Sequence, residues 1–265
     1  MPWGEKWIVD HSTKQVTPAP FQEVVASQTN LIHETLSRAR EGGLFQVLKG
    51  WRDERYAILG HISETEQSIS MERSGSPLFG INTYGIHMTV YTNTPEGMKI
   101  WVPRRSKTKQ TYGGMLDNSV AGGLAVGEAP FQCLIKEAQE EASLPEQLVK
   151  AAAKACGIVS YVHVRDKQAG GESGLFQPEC QFVYDMEVGV EVRLEPNDTE
   201  VEAFYLWTLE EVRQHLANGE FKPNCALVLL DFLIRHGIVT AENEPNYVEI
   251  GSRLHRQLPF PSTGL

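Results

Sequence analysis

The sequence predicts an α/β fold of the α+β kind, a mixed sheet sandwiched between helices and preceded by a small α+β subdomain. Three observations carry that expectation. Strand-like runs between residues 84 and 207 lie on both sides of one helix, Pro130 to Ala142. That helix pairs an apolar stripe with an acidic edge. A strongly apolar helix starting at Phe221-Lys222-Pro223-Asn224 and running to Arg235 then closes the far face of the sheet.

Each element has a local reason. Residues 1 to about 20 hold two prolines and weak patterning and read as a poorly defined lead-in. An amphipathic helix is expected from Phe21 to Arg40, stopped by Gly42-Gly43. The runs LFQVLKGW and RYAILGHI read as two strands split by a turn at Arg52-Asp53-Glu54. Tyr84 to Tyr91 and Met98 to Val102 read as a hairpin across Pro95-Glu96-Gly97. After the central helix come a short helix (Pro145 to Ala155), a strand (Gly157 to Val164) and a glycine-rich loop (Lys167 to Gly174). Strands follow at Cys180 to Val188 and Glu200 to Trp207, and Thr208 is placed to N-cap the next helix. A last helix is expected near Tyr247 to His255. The organisation that results is a lead-in and subdomain over 1–78, a central domain over 79–237, and a helix and tail over 238–265.

Composition narrows the function. A formal charge of −10 over 265 residues argues against nucleic acid or an anionic membrane as the main partner. No apolar run approaches the ~18 residues of a membrane span. The N-terminus MPWGEKWIVD has neither the basic start nor the apolar stretch of a signal peptide, so a cytoplasmic location is expected. Cys133, Cys156, Cys180 and Cys225 lack metal-like spacing and read as reduced thiols.

The chemistry concentrates between Ala121 and Leu144. Glu137, Glu140 and Glu141 sit at i, i+3 and i+4 and converge on one edge of the helix. Crowded carboxylates repel, which a hard divalent cation with oxygen ligands turns into a site. Upstream, Arg104, Arg105, Lys107 and Lys109 make a basic stretch positioned to contact an anion. Trp101, Tyr112 and Phe176 offer aromatic faces to a ligand, and Trp51 does so as the lesser reading beside core packing. His87 reads as a core histidine.

The spacing closely resembles the Nudix box: a Gly, five residues, a Glu, seven residues, Arg-Glu, an apolar residue, any residue, Glu-Glu, any residue, Gly, an apolar residue. Gly122, Glu128, Glu137, Glu140 and Glu141 occupy its fixed positions, while Lys136 replaces the usual Arg and Ser143 the usual Gly. The resemblance implies a Nudix α/β/α sandwich and a diphosphate hydrolase using Mg²⁺ or Mn²⁺. It also implies metal ligation by Glu137, Glu140, Glu141 and the backbone carbonyl of Ala121, with Glu128 and Lys136 orienting them. A further Glu from outside the box is often recruited; Glu200 and Glu202 are the candidates, with Glu179 behind both.

Further runs, among them LKGWRDERY, KIWVPRRSKTKQTYGGMLDNSVAGG, PECQFVYDMEV and GEFKPNCALVLLDFLIRHG, resemble the Nudix family associated with thiamine pyrophosphokinase. That likeness implies hydrolysis of thiamine diphosphate and of its oxidised or toxic analogues to the monophosphate and phosphate. A Nudix enzyme for ADP-ribose or dinucleotides is the alternative, and a non-catalytic Nudix-fold module is disfavoured because no box glutamate is lost. A small-molecule diphosphate is the expected partner, with the chain a monomer or homodimer.

Overall fold

The computed structural model describes residues 4–19, 25–59 and 69–262. In chain order the elements are β1 (Trp7–Asp10), β2 (Gln15–Pro18), α1 (Val25–Glu41), β3 (Arg55–Ile58), β4 (Ile69–Glu72), α2 (Ser76–Phe79), β5 (Thr83–Thr94), β6 (Gly97–Arg105) and β7 (Val120–Gly123). There follow α3 (Pro130–Ala142), α4 (Glu146–Ala152), β8 (Ala153–Val164), β9 (Phe176–Glu187), β10 (Val201–Thr208), α5 (Leu209–Ala217), α6 (Pro223–Arg235) and α7 (Tyr247–Leu254).

Six strands form one mixed sheet in the order β10-β6-β5-β9-β8, with β7 added to β5. The β5–β9 pair is parallel and the other pairs antiparallel. Alternation along β5 divides the interior. Tyr84, Ile86, Met88 and Val90 point into a core with Leu134, Ile135 and Ala138 of α3. On the other face Ile100 and Val102 of β6 pack with Phe221 and with Leu229 and Phe232 of α6, while Val159 and Val183 meet Val228 and Leu254. The sandwich therefore has α3 and α4 on one side and α5, α6 and α7 on the other.

Local signals explain the helices. Pro130 occupies the first turn of α3, where its missing N–H has no intrahelical partner to lose. Thr208 and Glu211 form a reciprocal capping box at the start of α5. Ser143 ends α3 in the left-handed region (φ 55°, ψ 25°), the conformation that explains why glycine is usual there.

Two expectations fail in the N-terminal part. The lead-in holds an antiparallel hairpin, β1 with β2, instead of weakly defined chain. The LFQVLKGW run is a 3₁₀ turn over Gln46–Gly50, because Val47 and Leu48 are both buried and consecutive strand residues cannot face one core together. Those residues close a separate apolar cluster with Ile32, Leu36 and Ala39 of α1 and Met71 of β4. The end of the RYAILGHI run and residues 21–24 of the expected first helix lie outside the described residues. All four cysteines are free thiols. Among the described residues no helix is long and apolar enough to cross a membrane.

Candidate active site

A cavity of about 470 Å³ opens between the second half of α3, the polar face of β5 and β9, and the N-terminal subdomain. Its volume falls in the range that holds a small organic ligand. Ala121, Gly122, Glu137, Glu140 and Glu141 line one end. From the subdomain Arg52, Glu54, Tyr56 and Arg73 form a roof. The approach is close enough to dictate residue type, since a β-carbon at Gly123 would overlap the Tyr56 hydroxyl and one at Gly122 would overlap Glu137.

The acidic edge is desolvated as well as crowded. Burial, with Glu140 nearby, raises Glu137 to about 7 against the partial opposition of Lys136. Burial and then the Asp117 charge raise Glu141 to about 8, although Lys109 and a hydrogen bond from the Ala121 N–H (3.1 Å) favour its anion. Glu140 is exposed at the cavity edge. Lys136 is largely solvated, its Nζ 3.7 Å from Glu137. Burial, and then the charge of Glu128, push the Cys133 thiol up; Glu128 itself lies outside the cavity wall. This donor set, two desolvated carboxylates (Glu137 and Glu141), the exposed Glu140 and a backbone carbonyl, is of the hard-oxygen kind that a divalent cation takes.

The basic stretch divides three ways. Arg104 donates to the Gly114 carbonyl (2.8 Å) and lies over Tyr205, away from the cavity. Arg105 is buried against Asp117 and donates to the carbonyls of Tyr112 (3.2 Å) and Thr111 (3.0 Å), so its N–H groups clamp the loop that leads to β7. Burial opposes the Asp117 charge, yet Arg105 and Lys222 hold that carboxyl far below the usual range. Lys109 projects into the cavity, bonded to Glu200 and 3.8 Å from Glu141.

Of the three outer glutamates, Glu200 and Glu179 line the cavity and Glu202 is exposed outside it. Burial works against the Glu200 anion, but Lys109 and then Arg52 (3.8 Å) keep its pKa below the usual value. Tyr112 is in the wall at φ 51°, its hydroxyl 3.4 Å from His163. The tryptophans are elsewhere. Trp101 is packed in the main core, and Trp51 lies beneath Arg40 and against His33, its indole N–H bonded to Asp53. Phe176 is half-exposed and outside the cavity wall.

Sequence reasoning missed Arg52, Arg73, Tyr161, Gln181 and Asn224, all in the cavity wall. A usable signal existed for Gln181. A strand covered by helices on both faces should read as nearly continuous apolar residues, and Gln177, Glu179 and Gln181 break that at alternate positions.

His87, Asp117 and Cys225 also place three donor atoms within 4.8 Å of one another, all buried. Their partners are already assigned. Asp117 takes Arg105 and the Cys225 thiol (2.6 Å), and His87 Nδ1 meets Asn118 (2.7 Å). Burial, with Lys222 beside it, depresses His87 to about 4. We read this group as a buried polar network joining α6 to β5 and the clamped loop, and His87 as the core histidine that the strand pattern suggests.

Comparison with known proteins agrees with the box. A Nudix domain profile matches residues 83–225, and a domain of unknown function, DUF4743, matches residues 7–83. Uncharacterized protein YJR142W of Saccharomyces cerevisiae is 42% identical over 89% of this chain and 70% of its own length. Nudix hydrolase 20, chloroplastic, of Arabidopsis thaliana is 34% identical over 80% of this chain and 54% of its own. Nudix hydrolase 24, chloroplastic, of the same plant is 33% identical over 78% and 54%. The chain thus spans about half the length of the Arabidopsis relatives. It belongs to the Nudix family, a class of diphosphate hydrolases.

Proposed function

We propose that this chain is a divalent-metal-dependent Nudix hydrolase that cleaves thiamine diphosphate and its oxidised or toxic analogues to the monophosphate and phosphate. The observation that carries the hydrolase reading is the desolvated acidic edge at the cavity wall, with Glu137 at about 7 and Glu141 at about 8. Glu137, Glu140, Glu141 and the Ala121 carbonyl would hold Mg²⁺ or Mn²⁺, with Glu128 and Lys136 orienting the helix edge. When bound, such an ion supplies charge neutralisation at the diphosphate oxygens and a more acidic water. The chain's own groups do the rest. Lys109 is the cation of the basic stretch with its ammonium in the cavity, and we assign it the phosphate contact. To Glu200, kept ionised by Lys109, we assign acceptance of the proton from an attacking water. Phosphoryl transfer asks mainly for positioning and charge stabilisation, which these groups provide.

Support for the thiamine-type substrate comes from where the family-like runs fall in space. LKGWRDERY contributes Gly50, Arg52, Glu54 and Tyr56 to the cavity wall; PECQF contributes Glu179 and Gln181; KPN contributes Lys222, Pro223 and Asn224. These segments lie outside the general box pattern and enclose the ligand space. The test is a comparison of kcat/KM with Mg²⁺, read by phosphate release and product mass. Oxothiamine or oxythiamine diphosphate should rank at or above thiamine diphosphate, with ADP-ribose at least ~10-fold lower. ADP-ribose at the top would retire the thiamine reading and leave the hydrolase reading standing.

A further inference from the structure

The β8–β9 side of the cavity is built from strand residues that the hydrolysis does not use. Gln177, Glu179 and Gln181 share one face of β9, and Tyr161 of β8 lies opposite Glu179 in the antiparallel register. The Glu179 carboxylate accepts from the Tyr161 hydroxyl, from the Gln177 amide and from Gln181 Nε2 (3.3 Å). Each of these donors is neutral, and among the described residues Glu179 forms no ion pair. The nearby guanidinium of Arg165 donates instead to Gln177 Oε1 (2.9 Å) and to the carbonyls of Ala169 and Gly170 (2.9 Å to the latter). A carboxylate in a cavity wall, oriented by neutral donors but lacking a cation, retains its capacity to accept from a ligand.

Gln181 provides the second observation. It is 5% exposed, and its Oε1 has no hydrogen-bond partner. The amide orientation follows from its neighbours. Nε2 faces the Glu179 carboxylate and the Tyr161 oxygen (3.0 Å), so a flip would set oxygen against a carboxylate oxygen. Oε1 therefore turns toward Gly85, into space that a β-carbon at that position would fill. An unsatisfied buried amide oxygen costs stability, and a ligand N–H would satisfy it.

We infer that Glu179 and Gln181 form the subsite for the organic end of the substrate, which is a flat nitrogen heterocycle presenting N–H donors along one edge. The inference rests on the diphosphate-hydrolase reading for its orientation, with phosphates at the Glu137–Glu141 end and the ring at the β8–β9 end. It gives the thiamine-type reading a physical basis, since an aminopyrimidine ring carries such an edge.

The test separates the subsite from the hydrolysis. Thiamine itself, which has no phosphate, is titrated into the metal-free full chain by calorimetry. Glu179→Gln should weaken binding by about tenfold or more, the loss expected for one charge-assisted bond. Gln181→Met, which keeps volume and removes the acceptor, should weaken it severalfold and serves if the first variant folds poorly. With Mg²⁺ and thiamine diphosphate, Glu179→Gln should raise KM and leave kcat near wild type. No saturable thiamine binding by the wild-type chain, or equal binding by wild type and both variants, would overturn the subsite. A fall in kcat at unchanged KM would overturn it too, by moving Glu179 into the hydrolytic machinery. Should the wild-type chain bind thiamine yet hydrolyse no diphosphate, the hydrolase reading fails alone and the subsite stands.

Discussion

The two ends of the cavity are made of different secondary structure, and the difference governs how each behaves. At one end a single helix sets Glu137, Glu140 and Glu141 within two turns, so the cluster is local in sequence. At the other, Gly85, Tyr161, Glu179 and Gln181 meet because β5, β9 and β8 are neighbours in the sheet. Helical placement brings like charges together, and desolvation raises two of them. Strand placement interleaves acceptors with neutral donors and leaves Glu179 oriented. The first arrangement asks for a cation, the second for an N–H.

The largest expected effect falls on the pair that joins the two ends. Arg105 and Asp117 have side chains 8% and 10% exposed, and Arg105 also holds the loop carrying Lys109 and Tyr112. Asp117→Ala leaves a buried guanidinium without its counter-ion and frees the Cys225 thiol and Lys222 from their anion. A destabilisation of about 3–5 kcal/mol is expected, measured by urea unfolding. A loss under about 1 kcal/mol would mean that the ends are held independently.

Next comes the helix end itself. Glu140→Gln or Glu141→Gln should lower turnover at saturating Mg²⁺ by at least ~100-fold while the far-UV spectrum stays unchanged. Near wild-type turnover in either variant would remove the acidic edge from the site. The same carboxylate-to-amide change at the other end, Glu179→Gln, should spare kcat, and that contrast is the sharpest separation of the two ends.

Legibility follows the same division. The acidic edge could be read directly, because i, i+3, i+4 spacing along one helix is a one-dimensional signal. So could the strands β5, β6 and β8 to β10, the helix α3 and the Thr208 cap. The partition of the basic stretch could not. Arg104 and Arg105 are the last two residues of β6 and alternate to opposite sides, Arg104 over Tyr205 and Arg105 against Asp117, whereas Lys109 lies in the loop beyond the strand. Trp101 looked available for stacking, but an aromatic side chain's nearest large apolar surface is usually the core, and it packs there, while Trp51 packs against its own subdomain as the weightier reading for it expects. The subdomain's roof of Arg52, Tyr56 and Arg73 depends on long-range docking that no spacing encodes.

A pH experiment probes the helix end without chemistry. Glu137 and Glu141 hold their protons in the folded chain to about 7 and 8, whereas the unfolded chain releases them in the ordinary carboxylate range. The folded state therefore binds more protons between those limits, and stability of the metal-free protein falls as pH rises through them. His87, depressed to about 4, acts in the opposite sense and only below the ordinary histidine range. Between pH ~6.5 and ~8 the Tm in chelator should drop, and Glu141→Gln should flatten the slope. Mg²⁺ needs the ionised carboxylates, so its Tm gain should be greater at pH ~8 than at pH ~6. An equal gain at both would mean that the ion binds elsewhere.

The smallest effect concerns Ser143, where the helix end departs from its pattern. Its left-handed backbone costs a residue with a β-carbon about 1 kcal/mol relative to glycine. Its hydroxyl, however, donates to the Glu195 carbonyl at 3.0 Å, tying the end of α3 to the segment before β10. Such a bond contributes about 0.5–1.5 kcal/mol, enough to offset the strain. Ser143→Gly removes both and should change stability by less than about 0.5 kcal/mol. Ser143→Ala keeps the strain and loses the bond, so it should lower Tm by about 2–4 °C. If glycine instead stabilised by the full strain while alanine was neutral, the hydroxyl would contribute nothing. Serine would then be a plain liability at a helix end that glycine serves better.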